Sequence, residues 1–293
     1  MFKGFADKLQ LPLTTDAQID FAMERFFEVL YRDEESNYLG QCVLYGWCWV
    51  HGLPTRNASV LPLSRQSLRG WRSLEPTGSK DPCPWEVALL LAKWFIDQKL
   101  VIMAAWIVIT FDCYLRPSEG LQLKRCNILR PAVAVSPAYR HWSLVVCPSE
   151  DTKVTKTGSR DDSLVVGIAE RKWVAKVVEN LWRRRKEGEP LFPLTLAQVG
   201  AHLREATSDL EIKALNITAH SMRHGGPSND VYRGNLSLYE VRRRGRWRAE
   251  ASVARYEKHA RLQLQLNRLS TDQQRLAQQA SRTVEAALLA AKF

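Results

Sequence analysis

Between Arg242 and His259 the sequence reads RRRGRWRAEASVARYEKH, a single tyrosine, Tyr256, among six arginines and a lysine. A phenol hydroxyl in such company is a candidate nucleophile toward an anionic electrophile. Fixed cations hold the incoming anion and stabilise the charge that builds in its transition state. Trp247 adds an indole N–H, which can donate to an anionic oxygen but cannot accept a proton. Residues 220–261 carry ten Arg/Lys against four Asp/Glu. Three other clusters offer matching chemistry. HSMRHGG places His220 and Arg223 three apart, on one face of a helix, with His224 next in line. Arg223 offers a planar fork of donors to a phosphate, and His220 can move a proton near neutral pH. YLRPSEGLQL carries Arg116 and Glu119, and the loop SEDTKVTKTGSRD carries Lys153 and Lys156. Taken singly, these clusters read as an Arg–Glu surface pair, a solvated loop and a capping histidine. Taken together they supply arginines, a lysine, a histidine, an indole N–H and a tyrosine, with no carboxylate base. That set suits a phosphodiester passing through a pentacovalent state, with arginines in the role that metal ions often fill.

The elements that must position these groups are mostly helical. Apolar residues recur at helical spacing in TDAQIDFAMERFFEVLYRDEE, and YLGQCVLYGWCWVHG and LPLSRQSLRGWRSL continue the pattern. EPTGSKDPCP, rich in Pro, Gly and Ser, reads as a linker. Beyond it, WEVALLLAKWFIDQ and LVIMAAWIVITFDCYL read as buried helices. AVAVSP, HWSLVVCP and DSLVVGI then read as three short strands, the last two joined by the lysine-bearing loop. Helices resume over ERKWVAKVVENLWRRRKEG, LTLAQVGAHLREATSDL, a segment starting near His220, SLYEVRRRG and EASVARYEKH. The final stretch shows apolar residues at Leu262, Leu266, Leu269, Leu276, Val284 and Leu288, an amphipathic helix with no core of its own to cover. The expected fold is mostly α with a small antiparallel β-sheet, an α+β architecture. It divides into a helical module over 1–80, a second domain over 81–261 and a C-terminal helix over 262–293.

The 293 residues are 45% hydrophobic and carry a formal net charge of +11, which favours a polyanionic partner and excludes a disordered polymer. The six cysteines form no Cys-x-x-Cys pair and read as reduced, buried thiols of an intracellular protein. The histidines lack metal-ligand spacing with Cys or carboxylates, so no metal and no other cofactor is expected. The longest apolar run, VIMAAWIVITF, is too short to span a bilayer, and no membrane partner is expected.

At these same residues the chain resembles the tyrosine recombinases, the phage-integrase family, whose catalytic fold is shared with type IB topoisomerases. RPSEGLQL matches the family's first motif through Arg116, Glu119 and Leu123. The lysine of a β-hairpin is matched by Lys156, with Lys153 as the alternative. His220, Arg223 and His224 match His-x-x-Arg-His, Trp247 stands at the position of a histidine or tryptophan, and Tyr256 follows at the nucleophile's distance. The resemblance covers about 85–260. It implies that Arg116 and Arg223 clamp the scissile phosphate and Lys156 protonates the departing 5′ oxygen. His220 assists proton transfer at Tyr256, Trp247 donates to a phosphate oxygen, and Tyr256 holds the 3′ phosphate. Glu119, His224 and Lys153 are supporting residues. It further implies double-stranded DNA as partner, a core-binding-like module closing a clamp on it, and a homo-oligomer, a tetramer, docked through 262–293. No small-molecule substrate is implied. The location is the nucleus in a eukaryote, and otherwise the cytoplasm or nucleoid. A relaxing topoisomerase and a non-catalytic or domesticated DNA-binding protein of the same fold are the alternatives. Arg242, Arg243, Arg244, Arg246 and Arg248 read as contacts to flanking DNA backbone or partners of acids. After His224 the chain departs from the family with GGPSND, whose glycines and proline are expected to weaken or kink the helix that carries Arg223.

Overall fold

The computed structural model describes residues 1–55, 57–74, 81–148, 162–247, 250, 253, 256 and 259–293. The chain divides into two compact units, Met1–Gly78 and Ser79–Phe293. In the first unit, helices α1 (Phe2–Lys8), α2 (Asp16–Arg32), α3 (Asn37–Val50) and α4 (Pro62–Leu74) enclose a core of Ile19, Met23, Phe26, Phe27, Leu44, Leu68 and Trp71. A capping box between Thr15 and Gln18 starts α2. The Asp20 carboxylate of α2 accepts the backbone N–H groups of Leu63 and Ser64, each at 2.8 Å. These are otherwise unpaired donors of the first turn of α4, so one buried acid caps one helix with another.

The second unit is built on α5 (Trp85–Asp97) and α6 (Val101–Asp112). From Met103 to Asp112 every residue of α6 is buried, which is why its sequence shows no polar face. Then come α7 (Pro117–Gln122) and a three-stranded antiparallel sheet in the order β1 (Ile128–Leu129), β2 (Ser143–Val146), β3 (Asp162–Val165). Leu144 pairs with Leu164 in the register of the second hairpin, and both are buried against the helical core. Helices α8 (Trp173–Arg184), α9 (Leu196–Asp209), α10 (Ala219–Tyr232), α11 (Leu238–Arg244), α12 (His259–Asn267) and α13 (Thr271–Ala290) complete the described elements. The architecture is therefore mostly helical with a small antiparallel sheet.

Three expectations are corrected. AVAVSP, 132–137, is not a strand. It forms turns leading into a 3-10 helix at Pro137–Tyr139, and Val133 and Val135 are exposed. Pro131 and Pro137 bracket it without N–H groups to give a ladder, and Ile128–Leu129 supplies the first strand instead. The C-terminal segment is two helices, with Ser270 starting the second through a capping box with Gln273. Its apolar stripe does have a core to cover. Leu269, Ala277, Ala280, Val284 and Leu288 are buried in the core of the second unit, where α13 packs on α5. Those side chains are not free to dock on a neighbour.

The third correction concerns GGPSND. Helix α10 runs unbroken from Ala219 to Tyr232 with Pro227 inside it. The glycines serve close packing. A Cβ on Gly225 would lie 2.1 Å from the Cys83 carbonyl oxygen, and one on Gly226 would lie 2.2 Å from the Phe111 carbonyl oxygen. Gly226→Ala is expected to destabilise the protein by about 1–3 kcal/mol, because backbone rather than a flexible side chain has to move. Urea unfolding measures this, and an unchanged midpoint would contradict the close approach of α10 to α6.

Candidate functional site

Arg116 follows the end of α6 and is the N-cap residue of α7, in extended conformation, with Pro117 opening the helix. Glu119, three positions on, turns back and accepts the Arg116 backbone N–H at 2.8 Å, while the Arg116 guanidinium pairs with the same carboxylate. The first motif is thus a helix cap that fixes an arginine. Glu119 is buried and serves two more arginines. Arg246 Nη2 donates to its Oε2 at 2.6 Å, and Arg223 Nη1 lies 3.9 Å from that oxygen.

Arg223 lies one turn into α10 and is 4% exposed, so its orientation is set by backbone rather than solvent. Nη2 donates to the Gly245 carbonyl at 3.0 Å and Nη1 to the Tyr114 carbonyl. Its guanidinium lies 4.8 Å from the centre of the Trp247 ring. Burial, then the charge of Arg246, lowers the Arg223 pKa to about 10. At neutral pH it remains a cation.

Trp247 follows the end of α11, and Gly245 makes room for it. A Cβ at 245 would lie 1.7 Å from the indole ring. Tyr256 is buried, with its ring centre 4.4 Å from that of Trp247 and 5.2 Å from that of His224. Arg116, Glu119, Arg223, His224, Trp247 and Tyr256 therefore form one continuous cluster drawn from the start of α7, α10, the end of α11 and the segment beyond it. His220 is exposed in the first turn of α10, and the imidazole packed on Tyr256 is that of His224. Lys153 and Lys156 lie outside the described residues, as does most of EASVARYEKH. Among the described residues no three His, Cys, Asp or Glu side chains gather as a metal site.

Glu119 gives the cluster a pH dependence. Burial alone would raise its pKa, but Arg246, the Arg116 N–H, Arg223 and the Arg116 side chain together hold it below the ordinary 4.5. A carboxyl lowered in the folded state stabilises fully above its ordinary value, and that stabilisation is lost as pH falls through the folded value. Glu119→Gln should therefore cost about 3 kcal/mol near pH 7, and the deficit should shrink steadily below pH 4.5. Urea unfolding of both proteins across pH 3–7 reads this directly, and a deficit independent of pH would refute the ionic account.

A second network, missed in the sequence, supports the cluster. Asp112 ends α6 and accepts from Arg171 Nε at 2.9 Å, Arg244 Nη2 at 2.8 Å and the Gly167 N–H at 2.8 Å. Asp230 of α10 takes both terminal nitrogens of Arg171 at 2.7 Å, together with the Tyr114 hydroxyl. Burial opposes ionisation of Asp230, yet Arg171 and its hydrogen bonds outweigh burial and lower its pKa. These contacts tie α6, α10, α11 and the chain after β3 together, and the carbonyls of Tyr114 and of Gly245, next to Arg244, are those that hold Arg223. The one available signal was Asp112 itself, an acid ending a wholly apolar helix, which has to be paired once buried. No protein-family model matches the chain, and no curated protein is significantly similar to it.

Proposed function

We propose that this chain is a tyrosine-type DNA recombinase that cleaves and rejoins strands of duplex DNA through a covalent 3′-phosphotyrosyl intermediate. The observation that carries the reading is the cluster itself. A tyrosine is buried against a tryptophan and a histidine, beside arginines that share one carboxylate. In the proposed step the Tyr256 Oη–phosphorus bond forms and the bond from phosphorus to the 5′ oxygen breaks. The tyrosine proton passes to an imidazole, that of His220 or of His224, and Lys156 gives a proton to the departing oxygen. One phosphoester replaces another, so rejoining needs no ATP. Arg116 and Arg223 hold the non-bridging oxygens, and Trp247 packs the nucleophile and donates its N–H. The first unit contributes basic α4, where Arg69 and Arg72 are exposed and available to backbone phosphates. A homo-oligomer on DNA is part of this proposal. Its contacts would use surfaces other than the buried stripe of α13.

Nicked duplexes that lose a short fragment on cleavage trap such an intermediate. Wild type should give a detergent-resistant protein–DNA species and Tyr256→Phe should give none. Wild type that binds duplex DNA but traps none of it would point instead to a DNA-binding protein without strand chemistry. Relaxation of supercoiled DNA without strand exchange would favour the topoisomerase-like alternative.

A further inference from the structure

We infer that Arg246 is a third phosphate ligand, so that three guanidinium groups rather than two meet one phosphodiester; the inference rests on the strand-cleavage reading above. Arg246 has a φ of +59°, in the left-handed region, just after α11. The turn closes through the Trp247 N–H to the Arg242 carbonyl at 3.1 Å. Such a position after a helix favours glycine, because an L side chain crowds the backbone there.

The Arg246 side chain is 6% exposed, and its Nη2 is occupied by Glu119 at 2.6 Å. Nε lies 3.9 Å from Asp162 Oδ2, beyond hydrogen-bond reach. Among the described residues, neither Nε nor Nη1 has a hydrogen-bond acceptor. Buried guanidinium N–H groups without acceptors are unfavourable, and an oxyanion supplies what they lack.

The local charge agrees. Arg116, Arg223 and Arg246 meet one fully shared carboxylate, Glu119, with Asp162 at 3.9 Å from Arg246 as the second acid, so three guanidinium groups face two carboxylates and positive charge is in excess. A phosphodiester carries about one negative charge and its pentacovalent transition state about two, so an excess of fixed positive charge is worth more in the transition state than in the ground state.

The test uses the full chain and trapping duplexes with either an ordinary phosphodiester or a neutral methylphosphonate at the cleaved position. Arg246→Met should form adduct on the order of a hundredfold more slowly than wild type on the phosphodiester. On the methylphosphonate, with no charge left on that oxygen to neutralise, the deficit should fall below about tenfold. Arg246→Lys keeps the charge and should recover part of the phosphodiester rate, which guards against a methionine variant that merely misfolds. Equal deficits on both substrates would mean that Arg246 only positions Glu119, and a methionine variant within about threefold of wild type would show that it is not needed. Either result overturns the inference while the strand-cleavage reading stands. Failure of wild type itself to trap DNA overturns both.

Discussion

Replacing Arg223 with alanine is expected to slow covalent capture of DNA by about a hundred- to a thousandfold. Duplex binding should change far less, because affinity for DNA is spread over many backbone phosphates. Arg223 is held from both sides, by the Gly245 and Tyr114 carbonyls, and lies close to Glu119. Its position is therefore set before any phosphate arrives, which is what electrostatic stabilisation of a transition state requires. Its pKa, lowered to about 10 by burial and by Arg246, carries a sign. A cation whose folded pKa is depressed destabilises the fold at neutral pH, and that penalty is relieved as pH rises through about 10. An anion in the site relieves it at neutral pH instead. Arg223→Lys keeps a charge but loses the planar fork, and should fall closer to alanine than to wild type. Single-turnover trapping beside a binding titration separates the effects. Equal losses of binding and capture would place Arg223 in general DNA affinity rather than in the reaction.

Asp230→Ala is expected to destabilise the protein by about 3–5 kcal/mol, a fall in Tm on the order of 10 °C. Arg171 and Asp230 are 2% and 0% exposed, and the pair is joined through two hydrogen bonds of 2.7 Å. Removing the acid leaves both terminal nitrogens of the buried guanidinium without an acceptor, with only Nε still paired to Asp112, and leaves the Tyr114 hydroxyl without its acceptor. Burial, reinforced by Asp230, holds the Tyr114 pKa well above its ordinary value, so in the native protein the phenol is the neutral donor to that acid. An Arg171→Met/Asp230→Leu double variant, which removes both charges, should lose less than Asp230→Ala alone. Thermal unfolding of the two proteins decides the matter. A double variant worse than the single one would mean that the network contributes attraction beyond the relief of buried charge.

The helices were legible because burial leaves a periodic trace. Of the apolar residues that recur at helical spacing in α2, Ile19, Ala22, Phe26 and Leu30 are buried while Phe21 is exposed, and the unbroken apolar run of α6 marks a helix buried on all sides. The candidate site was partly legible, because its members lie in short local patterns. Arg116 and Glu119 make a helix cap, and Arg223 and His224 follow His220 on a single helix. What local pattern could not give was long-range pairing. Arg171 and Asp230 are 59 positions apart, and Tyr114 and Asp230 are 116 apart. No spacing rule links such residues. The glycines of α10 were misread for the same reason, since their use depends on Cys83 and Phe111 lying against them. The C-terminal stripe was read as uncovered because its partner, α5, lies far upstream in the chain.

Whether Tyr256 is the nucleophile is read from the position of the covalent bond. Trapped protein–DNA species, trimmed with nuclease and digested with protease, should yield one modified peptide in mass spectrometry. A nucleotide joined through its 3′ phosphate to Tyr256 is expected, and no such peptide from Tyr256→Phe. A nucleotide attached to any other residue, or joined through a 5′ phosphate, would contradict it.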